Sequence, residues 1–154
     1  MKPWLALLAL AITPPGLARA AADIAIHDAW VRAAPPGATV LAAYLTIDNH
    51  SARAQILSGA SSPQFDSIEI HRSEIKNGVA SMSAQPRVAI PAHGTLSFAP
   101  NGYHLMLIGP RQARRADDQV ELRLRFDGQP ARLIRAPVRD DAAPVDASTQ
   151  HRHD

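Results

Sequence analysis

The sequence predicts an all-β, single-domain fold, a Greek-key sandwich or barrel, and three observations lead there. Apolar residues recur with a period of two in short runs, no stretch carries a convincing helical period, and thirteen prolines and eight glycines punctuate the runs. At 154 residues the chain suits one domain and is long enough to bury a core.

The elements follow in order. Ile24 to Arg32 reads as an opening strand or a pair of short strands, ended by Pro35-Pro36-Gly37. In Val40 to Asp48, Leu41, Ala43, Leu45 and Ile47 share one face. Asn49-His50-Ser51 turns the chain into Ala54 to Ala60, and Phe65 to His71 follows with Ile68 and Ile70 inward. Short strands are expected near Val79–Met82, Arg87–Ile90, Thr95–Phe98 and His104–Ile108. Val120, Leu122, Leu124 and Phe126 alternate with Glu121, Arg123 and Arg125, the clearest strand pattern in the chain. An Asp127-Gly128 turn leads into a closing strand from Gln129 to Val138.

The ends read differently. Lys2, the apolar run from Trp4 to Ile12, the Pro14-Pro15-Gly16 break and Ala18-Arg19-Ala20 form a secretory signal peptide over residues 1–20. The run is too short for a membrane span, which needs about 20 apolar residues. Residues 21–139 make the folded domain, and residues 140–154 are polar and small, a disordered tail. Export to the periplasm with cleavage near Ala20 removes Lys2 and Arg19, so the basic count falls from 16 to 14 against 14 acidic residues. A mature charge of zero gives no case for nucleic acid or an anionic membrane as partner. No nucleotide-binding glycine loop and no recognisable Ser/His/Asp arrangement occurs.

Cysteine is absent, which excludes disulfides, thiolate zinc sites, cysteine nucleophiles and blue-copper centres. The two methionines of the mature chain, Met82 and Met106, therefore stand out. The Asn77-Gly78 hairpin pairs Lys76 with Val79 and Ser73 with Met82, which makes His71 and Met82 diagonal neighbours on one face. His104 and Met106, two apart on a strand, point to one side, while Leu105 and Leu107 take the core phase. Two imidazoles with two thioethers are soft and neutral; they suit Cu(I) in tetrahedral geometry and suit Zn²⁺, Mg²⁺ or Ca²⁺ poorly. Four protein ligands close the coordination sphere, which argues for holding and releasing a metal rather than for catalysis. Taken singly, Met82 and Met106 are ordinary core fillers and His71 and His104 ordinary strand-end residues; only the joint pattern carries weight.

The spacing His71-x10-Met82-x21-His104-x-Met106 resembles the signature of the periplasmic copper chaperones called PCu(A)C. Flanking text agrees: Ala29-Trp30-Val31-Arg32, Ala43-Tyr44-Leu45-Thr46-Ile47, Ile68-Glu69-Ile70-His71, Ile90-Pro91-Ala92, and Pro100 through Leu107. The resemblance spans roughly Ile24 to Val138 and implies a cupredoxin-like β-barrel, Cu(I) binding and delivery of copper toward cytochrome c oxidase, often beside Sco-type proteins. The chain is further expected to be a non-enzyme and a monomer, without a membrane span once the signal is removed. Many members carry Met directly after the first His, where this chain has Arg72, a cation expected next to the metal.

The remaining histidines are read more plainly. His151 and His153 in the tail offer a loose site for Cu(II) or Zn²⁺, set against the simpler reading of a frayed polar terminus. His27, His50 and His93 are read as structural or solvated, and Trp30 as a core anchor. Two other functions compete with delivery: a periplasmic copper buffer, and a metal-free sandwich that binds another protein.

Overall fold

Period-two alternation lets each strand bury one face and wet the other, and here it closes into a barrel. The computed structural model describes residues 23–140. Its elements are β1 (Ile24–Arg32), β2 (Val40–Asn49), β3 (Gln55–Ser61), β4 (Phe65–Lys76), β5 (Val79–Ala84), β6 (Val88–Ile90), β7 (Thr95–Phe98), β8 (Tyr103–Pro110), β9 (Gln119–Phe126) and β10 (Arg132–Arg139). The expected leader lies outside the described residues, as does the expected tail beyond Asp140. No helix among the described residues is long and apolar enough to cross a membrane.

Eight strands run in the order β4-β8-β7-β2-β1-β10-β9-β3, and the pairing of Ala60 with Ile68 joins β3 back to β4. One half of β2 pairs with β8 and the other half with β7, while β5 and β6 extend the sheet beyond β4 and β3. The inward phase is apolar throughout: Leu41, Ala43, Leu45 and Ile47 of β2, Leu105 and Leu107 of β8, and Val120, Leu122, Leu124 and Phe126 of β9 are all buried. Each large side chain so buried contributes roughly 1.5–3 kcal/mol, ample to hold the strand phases. Asn49 is the one buried polar residue among those described. Its amide donates to the carbonyls of Arg53, Ile90 and Pro91 and its oxygen accepts from Ser51, so the turn after β2 is tied to the end of β6 with no polar group left over.

Two expectations change at particular residues. β1 is one strand with a bulge between His27 and Trp30, where Asp28 takes φ 52°. The extra residue pairs Trp30 with Tyr44 and Val31 with Ala43, so Val31 enters the core in place of Trp30. Trp30 is not a core anchor; its ring lies on the outer face, 4.8 Å from that of Tyr44. The closing strand starts at Arg132 rather than Gln129. Pro130 has no N–H to give a ladder, and the end of β9 turns instead to β3, where Phe126 pairs with Leu57 and Asp127 N–H donates to the Ile56 carbonyl.

The bulge carries an ionic device. His27 bonds Asp28 through Nδ1 at 2.8 Å and Asp48 of β2 through Nε2 at 2.9 Å. The Asp28 bond first and the Asp48 bond second raise the His27 pKa above 6.5. Asp48 is lowered by the Thr95 hydroxyl and then by His27. The His27 contribution is thus complete below its ordinary value of 6.5 and fades as pH rises through the raised folded value. The Asp48 contribution is present above the ordinary carboxylate range and fades as pH falls through its lowered value. Thermal unfolding midpoints followed from pH 6 upward should therefore fall slightly in the wild type, and His27→Gln should flatten that slope.

Candidate metal centre

The four residues singled out by spacing occupy the outer phase of three neighbouring strands. In the β4–β8 ladder His71 pairs directly with His104 and Glu69 pairs with Met106. In the β4–β5 hairpin Ser73 pairs with Met82 and Lys76 with Val79, as the Asn-Gly turn requires. Asn77 and Gly78 both take positive φ, 51° and 77°, the conformation of a two-residue primed turn. Glu69, His71, Ser73, Met82, His104 and Met106 therefore project to one side, while Ile70, Leu105 and Leu107 project into the core.

The imidazoles meet with ring centroids 5.9 Å apart. Met82, His104 and Met106 line one cavity of about 300 Å³ with Arg32, Ala33, Ala34, Val40, Leu41 and Ala42. Ala42 sits directly across from Met106, and its single methyl, with those of Ala33 and Ala34, leaves the thioethers room. His71 does not line this cavity; its ring, only 13% exposed, lies beside that of His104. Met82, on the edge strand β5, is 54% exposed.

Hydrogen bonds settle which nitrogens are available. His104 Nδ1 faces the Gly102 carbonyl at 3.1 Å; a carbonyl only accepts, so Nδ1 carries the proton and Nε2 the lone pair. His71 Nε2 is 2.8 Å from Glu69 Oε2, which places its proton there and the lone pair on Nδ1. That Nδ1 is buried with no hydrogen-bond partner. A buried acceptor left unmade costs about 1–3 kcal/mol, and in this ring Nδ1 is the nitrogen whose lone pair is left free. Glu69 was not among the residues expected at the site; the Glu-x-His spacing on one strand face was the available signal.

Among the described residues no three His, Asp or Glu side chains gather to hold a metal, so a hard cation finds no cage. Imidazole nitrogen and thioether sulfur suit a soft ion instead. Arg72, expected beside the metal, falls on the opposite phase of β4 from His71. It lies 5.2 Å over the Tyr103 ring and pairs with Glu74, so its charge is directed away from the imidazoles. His151 and His153 lie outside the described residues.

The chain is similar to several known proteins. A family model, LpqE-like, matches residues 24–138. The protein named "Putative lipoprotein Lxx21020" of Leifsonia xyli subsp. xyli (strain CTCB07) is 34% identical over 118 residues, covering 76% of this chain and 70% of its own length. CuI-DR1885 from Deinococcus radiodurans, solved in solution, is similar at 30% identity and TM-score 0.65, over 80% of this chain and 83% of that one. The copper-bound PCuAC domain from PmoF2 matches at TM-score 0.66 over 77% of this chain and 93% of that domain. At 24% identity this second likeness shows the fold alone. The observed fold is the all-β, cupredoxin-like barrel that the resemblance implied.

Because Met82 is exposed on an edge strand, its packing contributes little. Met82→Ala should leave chemical denaturation within about 0.5 kcal/mol of the wild type, so that any loss of metal binding reports on the ligand rather than on the fold.

Proposed function

Because the chain belongs to the LpqE-like family, matched over residues 24–138 of its 154, we propose that it is an exported copper chaperone. In this reading it binds Cu(I) through His71, Met82, His104 and Met106 and delivers it for assembly of the copper centres of cytochrome c oxidase. The observation that carries the reading is the placement of four neutral nitrogen and thioether donors on one face of neighbouring strands. Two imidazoles pair in register across β4 and β8, and both thioethers share a cavity with one of them. The likeness to CuI-DR1885, at 30% identity, supports the same ion.

The ligand set fits the cargo. His71 offers a buried, unpartnered Nδ1 and His104 offers Nε2, both as lone pairs that need no proton removed at binding. Thioethers prefer the reduced, d¹⁰ ion to harder cations. Four protein donors leave no open position for an activated water or substrate, which favours a carrier over an enzyme. Residues 1–20 act as a leader removed near Ala20, the domain spans 21–139 and works as a monomer in the periplasm, and residues 140–154 form the tail. The family's lipoprotein naming supports export. The partners are the copper ion and either an oxidase subunit or a Sco-type protein.

Anaerobic titration of the wild-type chain against a Cu(I) chelator should reach one ion per chain, with nitrogen and sulfur shells in X-ray absorption. Replacing both Met82 and Met106 by Ala should abolish that binding; wild-type affinity in the double variant would refute the assignment. Delivery and buffering share the same site chemistry and separate in the cell. A deletion strain should lose oxidase activity in low copper, whereas copper sensitivity with normal oxidase would make the protein a buffer.

A further inference from the structure

We propose that Glu69 is a positioning residue that selects Nδ1, not Nε2, of His71 as the donor atom of the metal site. This rests on the reading of His71 as a ligand and goes beyond it, because the four-residue pattern specifies side chains and is silent on which nitrogen binds.

Glu69 and His71 stand two apart on β4, so both project from the outer face. Glu69 Oε2 lies 2.8 Å from His71 Nε2. An ionised carboxylate can only accept, so it draws the ring proton to Nε2 and leaves the lone pair on Nδ1. The two nitrogens are in unlike surroundings. Nε2 is satisfied by a side chain that is itself 53% exposed, whereas Nδ1 is buried and has no hydrogen-bond partner. The other tautomer would set the Nε2 lone pair against the carboxylate and leave an Nδ1–H buried without an acceptor. The carboxylate thus acts as a carboxylate–histidine brace of the kind that fixes tautomer and ring orientation at metal sites.

His104 is set by a different device, the Gly102 carbonyl on Nδ1, which leaves Nε2 as its donor. The site therefore presents one imidazole through each type of nitrogen. His71 and His104 are opposite one another in the ladder, with ring centroids 5.9 Å apart. The brace also makes His71 the better electron donor and removes rotamer freedom that binding would otherwise have to freeze.

The test uses full-length mature protein, first without metal. Long-range ¹H–¹⁵N spectra taken well above the ordinary histidine range should show His71 as the Nε2–H tautomer and His104 as the Nδ1–H tautomer. Adding Cu(I) should then shift Nδ1 of His71 and Nε2 of His104. Glu69→Leu should lose the His71 tautomer bias and weaken Cu(I) binding by about 10–100-fold at unchanged stoichiometry. Glu69→Gln, whose amide oxygen still accepts, should restore most of both, with thermal unfolding matched among the three proteins. An apo His71 in the Nδ1–H form, copper contact at His71 Nε2, or wild-type affinity in Glu69→Leu overturns the proposal. A wild-type chain that takes up no Cu(I) defeats the chaperone reading instead, and the metal-free tautomer still decides whether Glu69 sets the ring.

Discussion

The pairing of β4 with β8 is the constraint on which the rest of the site depends. Ile70 opposite Leu105 and Ile68 opposite Leu107 hold the inner phase, and their burial is what fixes the register. Once that register holds, His71 must stand opposite His104 and Met106 opposite Glu69 on the outer phase. A slip of one residue would drive the imidazoles into the core and the leucines into water, so the hydrophobic effect acts as the positioning force for polar ligands it never touches. The proposed metal site stands on ladder positions rather than on loops, which limits the freedom its donors would lose on binding.

The surroundings of that ladder bear on the proposed site. Small residues at Ala33, Ala34 and Ala42 leave room for the thioethers. Arg72, the cation nearest in sequence to His71, is turned to the other face and held over Tyr103. The edge strand β5 is the least buried partner, every residue of it exposed, and it contributes Met82. One candidate donor on a wet edge beside three on inner ladder positions would make the proposed site firm on one side and accessible on the other, a layout suited to a carrier that must also release its ion.

Much of the fold was legible because the β2 and β9 patterns alternate without interruption and the Asn77-Gly78 turn admits one loop length. The Ser73–Met82 pairing followed from that turn alone. Trp30 was not legible in the same way. Its place is set by the bulge at Asp28, an extra residue that reverses the phase of everything after it, and nothing in His27-Asp28-Ala29-Trp30 marks the bulge beforehand. Arg72 was misplaced for the opposite reason: adjacency in sequence suggested adjacency to the metal, whereas neighbours along a strand face opposite ways.

By itself the sequence determined the fold class, the strand phases and the identities of four candidate donors, because a period of two and a two-residue turn act through local geometry. Tertiary structure alone decided that β4 and β8 meet in the register that opposes His71 to His104, and that His71 Nδ1 is buried while its Nε2 rests on Glu69. It also decided that the loop after β1 folds back beside the thioethers. These depend on contacts between residues distant in the chain, whose register is chosen by the burial of a common core.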